Sequence, residues 1–392
     1  MKEEVLIIGA KRTPIGAFQG ELSAIKATQL GSIAIQGALQ DANLAPSSVD
    51  EVFMGCVLSA GLGQAPARQA SIGAGIPTPV PCTTINKICG SGMKAVMLAA
   101  TEIRMNDINT AVAGGMESMS NAPYLLDKAR GGYRTGHQRV LDHMFLDGLE
   151  NAYDGRLMGQ FAEETARKYK FSRADQDEFA ISSSLKASKA MEDGSFSNEI
   201  IPVQEQVGKV NINATKDECP SRFKIERVPT LKSSFEENGT ITPANSSPIS
   251  DGAAALVLAS RSYVDQHKLK ARARICGYSS HAQDPEWFTT APISAIQNLL
   301  HKLNWTIGDV DLFEINEAFA VVAMAAISDL KLPPEKVNVF GGSCALGHPI
   351  GASGARLIVT LLNALEKKGL KRGVASLCIG GGEATAIAIE RE

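Results

Sequence analysis

The chain has 392 residues, 39 basic and 42 acidic side chains and a net charge of −3. That length suggests two or three structural units, and the near-neutral balance gives no polyanion signature and no expectation of a nucleic-acid partner. The seven cysteines (Cys56, Cys82, Cys89, Cys219, Cys276, Cys344 and Cys378) are odd in number and form no C-x-x-C pair. A disulfide framework and a zinc knuckle are both disfavoured, and the histidine spacings suggest no metal site.

The start, Met1–Ile8, holds a four-residue apolar run, short for a signal-peptide core, and no apolar run reaches the roughly 18 residues of a membrane span. With unpaired cysteines, these points give a reducing cytoplasm as the expected compartment and no membrane partner. Val5–Ile8 before Gly9 reads as a buried strand, and Ala27–Leu39 as a helix stopping near Asn43. Asp50–Leu58 reads as a strand, followed by a Gly/Pro-rich loop. The next helix, about Ser91–Asn106, places Met93, Val96, Met97, Ala100 and Ile103 on one apolar stripe. Thr110–Ala113 reads as a short strand ending at Gly114-Gly115. Alternating strands and helices argue an α/β fold.

From Asn121 to Ser250 Gly, Arg, His and paired charges dominate, which reads as an insertion, with one half-exposed helix over Glu163–Met191. Regular texture resumes at Asp251–Leu258. The last part repeats the logic of the first. Ser91-Gly92 opens a helix and Gly114-Gly115 follows a strand; Ser353-Gly354 and Gly381-Gly382 do the same later. Two similar halves explain this recurrence.

Four segments carry candidate chemistry. In Asn86-Lys87-Ile88-Cys89-Gly90-Ser91-Gly92, Cys89 precedes a helix, where free N–H groups and the macrodipole favour thiolate. A small buried core cysteine is the alternative. In Gly347-His348-Pro349, His348 lies in a Gly-rich turn before a helix, placed as a base or as a structural turn residue. Cys378 ends the strand Val374–Ile379 before three glycines, where α/β sheets collect ligands; packing is its alternative. Asn316-Glu317-Ala318-Phe319-Ala320 follows a strand-like run, with Asn316 read as a helix N-cap. No Walker A sequence occurs and no dinucleotide fingerprint is completed.

Together, in this order and spacing, Asn86–Gly92, Asn316–Ala320, Gly347–Gly354 and Cys378–Gly382 closely resemble signatures of the thiolase family, its bacterial acetyl-CoA acetyltransferases in particular. Val5–Gly16 and Gly114–Ser118 fit as well. The resemblance covers essentially the whole chain. It implies a five-layer α/β/α/β/α fold of two similar halves with mixed sheets, plus an inserted loop domain. The implied division is residues 1–120, completed by about 250–274, then a loop domain at 121–249 and a second half at 275–392. A homodimer or homotetramer is also implied.

The implied activity is condensation of two acetyl-CoA to acetoacetyl-CoA plus CoA, or the reverse thiolysis. A broader 3-ketoacyl-CoA thiolase of fatty-acid or aromatic degradation is the alternative, and a non-catalytic acyl-CoA carrier on the same fold a second. CoA thioesters are substrates, and no cofactor or metal is implied. By the same resemblance Cys89 is the nucleophile and His348 its activator. Asn316 acts with His348, through a water, on a thioester oxygen, and Cys378 is the acid/base for the methyl proton. The N–H groups of Cys89 and Gly380 form an oxyanion hole. Ser247 matches a position near the pantetheine; Phe235, Ala244, Ala318, Phe319 and Met158 match positions lining its tunnel, and Arg222 the adenine or phosphate end.

The chain departs from the common short-chain pattern at Leu157-Met158-Gly159 and at Trp287–Pro292, so Leu157 and Phe288 are expected to border the acyl pocket, and longer 3-ketoacyl chains are left open as substrates. Phe340 and the pair Ser343-Cys344 also depart, with packing effects expected.

Overall fold

The computed structural model describes residues 3–392, and its first strand, β1 (Val5–Arg12), continues past Gly9 with a shift of register between Ile7 and Gly9. Helix α1 (Ala27–Ala42) follows, closed by Asn43 in a left-handed conformation. Then come β2 (Glu51–Gly55), α2 (Pro66–Gly73), β3 (Cys82–Ile85), α3 (Ser91–Met105) and β4 (Thr110–Ser118). β4 does not stop at Gly114-Gly115. A side chain at Gly114 would meet the Ala254 carbonyl and one at Gly115 the Gly351 carbonyl, so these glycines allow close approach within the strand.

Residues 119–249 separate β4 from β5 (Ser250–Ser260). The single helix expected over Glu163–Met191 is two, α4 (Met158–Tyr169) and α5 (Arg173–Glu192), broken where Lys170 turns left-handed. Ser172 caps α5, its hydroxyl accepting from Asp175 N–H. The insertion is fastened to β1 by fully buried Arg12, whose guanidinium pairs with Glu199 at 2.5 Å and Asp217 at 2.7 Å.

The second half comprises β6 (Ala273–Ala282), α6 (Ala291–Leu303), β7 (Leu312–Ile315), α7 (Ala320–Leu330), α8 (Ile350–Lys368), β8 (Arg372–Ile379) and β9 (Glu383–Arg391). The order β1-β5-β4-β2-β3 in the first half is matched by β6-β9-β8-β7 in the second, with Val337 bridging to Phe313 in place of a fifth strand. In both halves the first two pairings are antiparallel and the rest parallel. The two sheets join edge to edge through Leu6–Arg274 and Ile7–Ala273.

The cores follow from these layers. Met93, Val96, Ala100, Leu357, Ile358 and Leu361 belong to a central cluster between the sheets, built on α3 and α8. α1 and α2 cover the outer face of the first sheet, and α6 and α7 that of the second. This is the five-layer α/β/α/β/α arrangement. At the centre α3 and α8 cross at Gly92 and Gly354: a Cβ at Gly354 would lie 2.4 Å from Met93 N, and one at Gly92 2.9 Å from Ala355 N. That contact puts the heads of both central helices side by side, and the preceding loops carry Cys89 and His348.

Candidate active site

The Cys89 turn is built by its own sequence. Ile88 sits at φ 45°, a left-handed conformation that a β-branched residue rarely adopts. Its N–H donates to Asn86 Oδ1 at 3.0 Å. Lys87 N–H donates to Ser91 Oγ at 2.8 Å, and that hydroxyl donates to Ile88 O at 2.6 Å. Lys87 also pairs with Glu383, tying this turn to the loop after β8. From that loop the Gly380 N–H donates to the Cys89 sulfur, as does the N–H of Cys89 itself.

Burial pushes the Cys89 thiol up to about 11, with the two N–H donors acting in the opposite direction. This corrects the expectation of a favoured thiolate at the helix terminus: desolvation outweighs the two N–H donors, and Cys89 rests as a thiol. A base is therefore needed.

His348 supplies one. Its ring Nδ1 lies 2.6 Å from Ser353 Oγ, and that hydroxyl donates to Pro349 O at 2.9 Å. The serine proton is thus committed to the carbonyl, so Nδ1 carries the imidazole hydrogen and Nε2 keeps its lone pair. Nε2 faces Asn316 Nδ2 at 3.4 Å. Burial, followed by the nearby Arg356, pushes His348 down to about 3, so the ring is neutral at physiological pH.

Asn316 is not the N-cap expected from the sequence. α7 starts at Ala320 with Phe319 as its cap, and Asn316–Phe319 is a linking segment. Asn316 N–H extends the β7 pairing to Ser376 O at 3.0 Å. The segment is stitched to the end of the insertion: Ser247 N–H and hydroxyl both donate to Ala318 O at 3.0 Å, and Ala320 N–H donates to Asn245 O at 2.8 Å. Cys378, on β8, is fully buried, and burial, reinforced by neighbouring Cys89, holds its thiol well above the ordinary range.

These elements enclose a cavity of about 370 Å³. Cys89, His348 and Gly380 line it, with Leu157, Met158, Phe235, Ser247, Phe288, Ala318 and Phe319. Phe288 is held edge-on by Phe161, and Phe235 by Phe319. Cys378 and Asn316 lie buried behind the lining.

Two other expected residues are placed elsewhere. Ala244 is buried beside the lining and contributes no wall; Pro243 and Ser246 do. Arg222 is absent from the lining and pairs with Glu218, whose carboxylate also accepts the Ala17 and Glu21 N–H groups. Sequence reasoning missed Phe145, Leu149, Ile249 and Ile350, apolar residues that line the cavity and look like ordinary core in sequence.

It also gave no role to Glu117, which is buried and accepts N–H groups from Val57, Leu58 and Gly351 at 2.9–3.1 Å. It binds the loop after β2 to the head of α8. Burial pushes its carboxyl up to about 7 against those donors. Among the described residues no cluster of His, Cys, Asp and Glu side chains suits a metal ion.

The arrangement is that of one thiol, one imidazole and a pair of N–H donors converging on an apolar cavity, with the second thiol, Cys378, buried next to Cys89. Family models for the thiolase N-terminal and C-terminal domains match residues 5–262 and 269–391. The chain belongs to the thiolase family. Its sequence is 49% identical over 390 residues to the acetyl-CoA acetyltransferase of Schizosaccharomyces pombe, covering 99% of each chain. This thiolase also superposes on solved structures. The Bacillus anthracis acetyl-CoA acetyltransferase matches with a TM-score of 0.98 and 38% identity, covering 100% of this chain and 99% of the other. The Ascaris suum Acat5 thiolase, crystallised with coenzyme A, matches with a TM-score of 0.94 and 42% identity over 100% of both chains.

Proposed function

We propose that this thiolase is an acetyl-CoA C-acetyltransferase, an acyltransferase that joins two acetyl-CoA through an acetyl-Cys89 intermediate or runs the reverse thiolysis. The carrying observation is the presentation of Cys89 in one cavity with a neutral His348 and the Gly380 N–H. Full-length similarity to acetyl-CoA acetyltransferases supports the same reading.

In the first half-reaction His348 Nε2 takes the Cys89 proton and the sulfur attacks the thioester carbon. The low proton affinity of the isolated imidazole is offset because transfer creates a thiolate–imidazolium pair in a dry site. The tetrahedral oxyanion is held by the N–H groups of Cys89 and Gly380. CoA leaves, taking a proton from Cys378. In the second, the Cys378 thiolate removes a methyl proton from a new acetyl-CoA. The resulting enolate oxygen lies against His348 and, through a water, the Asn316 amide. Its carbon attacks acetyl-Cys89, and the released Cys89 thiolate recovers its proton from His348. Each thiol ends as it began, and no cofactor takes part.

The pantetheine arm runs past Ser247, Phe235, Ala318 and Phe319. Met158, Leu157 and the Phe288 ring bound the acyl end. The exposed apolar side chains Tyr124, Leu126, Tyr133 and Val140, and the free edge of β3, support assembly as a homodimer or homotetramer. Seven free cysteines support a reducing compartment such as the cytoplasm.

The test is thiolysis of acetoacetyl-CoA against 3-ketoacyl-CoA of six to ten carbons. Faster turnover of the short substrate is expected; a clear preference for the longer ones overturns the acetyl specificity in favour of a broad 3-ketoacyl-CoA thiolase. Mass spectrometry after mixing with acetyl-CoA should show an acetyl group on Cys89. An adduct that survives Cys89→Ser removes it as nucleophile.

A further inference from the structure

The Asn316 carboxamide has one useful orientation and one harmful one. With its NH₂ toward His348 it donates; flipped, it sets an oxygen against the imidazole lone pair and against any thioester oxygen. Residues 27 and 40 positions away decide between them. Ser343 Oγ lies 2.7 Å from Asn316 Oδ1 and 2.9 Å from Arg356 Nη2. Arg356 Nη2 is also 3.4 Å from Asn316 Oδ1. A guanidinium only donates, so the Asn316 atom facing Arg356 Nη2 is an acceptor; the serine oxygen also accepts from Arg356, and its single proton goes to that same Asn316 atom. The Asn316 atom on that side must then be the oxygen, and the NH₂ is forced toward His348 Nε2.

Asn316 and Ser343 are fully buried and Arg356 is 2% exposed, so no solvent competes for these bonds. The Ser343 backbone is itself fixed. Its short helix, Ser343–Leu346, is anchored by Cys344 N–H donating to Glu317 Oε2 at 3.1 Å, next to Asn316. Gly342 N–H donates to Ser183 Oγ at 2.9 Å.

We propose that Ser343, loaded by Arg356, is a positioning residue that locks the Asn316 amide with its NH₂ toward the reacting oxygen. Ser343 is one of the positions where the chain departs from the common pattern, and its hydroxyl does more than pack. The proposal rests on the assignment of Asn316 to the thioester oxygen. It concerns the condensation half-reaction, because acetylation of Cys89 uses the separate donors Cys89 N–H and Gly380 N–H.

The test is a double-mutant cycle in the full-length enzyme with Ser343→Ala, Asn316→Ala and the pair. Condensation rates are divided by the fraction of Cys89 that acetylates, which removes any loss of folded protein. Ser343→Ala is expected to lower the condensation kcat about tenfold, less than the ~10²–10³ of a deleted oxyanion donor, because the amide remains but loses its fixed orientation. KM for acetyl-CoA in the acetylation step should be unchanged, and Ser343→Thr should recover most of the condensation loss.

In the Asn316→Ala background, Ser343→Ala should have no further effect. A tenfold cost that persists in that background, or wild-type condensation in Ser343→Ala, overturns the positioning role while leaving Asn316 in place. Normal condensation in Asn316→Ala overturns both assignments. If Ser343→Ala does not fold, Ser343→Cys, which keeps the volume and donates weakly, reads the same split.

Discussion

The two halves of this thiolase share a strand order and a central helix each, yet they contribute unlike things to the site. At the head of α3 the first half offers a sulfur; at the head of α8 the second offers an imidazole. After β4 the first half inserts residues 119–249, whereas after β8 the second turns on three glycines. The long connection supplies cavity walls and the short one presents the backbone N–H of Gly380, just past the buried thiol of Cys378 at the end of β8. The repeat is a scaffold in which equivalent loops meet. In the proposed mechanism the first half carries the acyl group, covers it and supplies the Cys89 N–H, while the second moves protons and supplies the Gly380 N–H.

That division can be broken piece by piece. Cys89→Ala should abolish both half-reactions, lowering turnover by about 10⁴-fold or more, with no acetyl adduct by mass spectrometry. Cys378→Ala should separate the halves: Cys89 still acetylates, and condensation falls by ~10³-fold or more, read by acetoacetyl-CoA formation. Near-normal condensation would remove Cys378 from the proton transfer.

Gly354→Ala strikes the contact between the halves. With Met93 N 2.4 Å from the new Cβ, a loss of about 1–3 kcal/mol is expected in denaturant unfolding, with acetylation slowed as α3 and α8 separate. An unchanged midpoint would show that the crossing has slack.

A pH effect should arise at Glu117. Its folded carboxyl titrates at about 7 against 4.5 for an unperturbed one, so between those values the folded state holds a proton that the unfolded state has lost. Stability from this group falls as pH rises from 4.5 to 7, and Glu117→Gln should flatten that part of the Tm–pH curve. His348 opposes it: titrating at about 3 when folded, it makes stability fall as pH drops from 6.5 to 3. The smallest effect is expected at the half-buried Lys87–Glu383 pair, where Lys87→Met costs about 1 kcal/mol and charge reversal of both partners restores it.

The fold was largely legible in the sequence because its parts are local: apolar stripes, strand runs and recurring Ser-Gly and Gly-Gly pairs. Cys89, His348 and Cys378 stand out locally too, since each sits in a dense glycine-containing segment, while their roles come from the family resemblance. What was hidden depends on tertiary neighbours. Asn316 reads as a cap because Asn favours caps, but its side chain is engaged by Ser343 and Arg356, and no local signal links those three. Gly114-Gly115 reads as a strand end because nothing nearby announces that Ala254 and Gly351 pack against it. The thiol state of Cys89 turned on desolvation, which the sequence does not display.

The left-handed Ile88 has a consequence for timing. A β-branched residue held there costs on the order of 1–3 kcal/mol, and Asn86 and Ser91 keep it in place before any substrate is present. The nucleophile therefore does not search for its position when a thioester enters. Its immobility is acquired once, during folding, and is inherited by every turnover that follows.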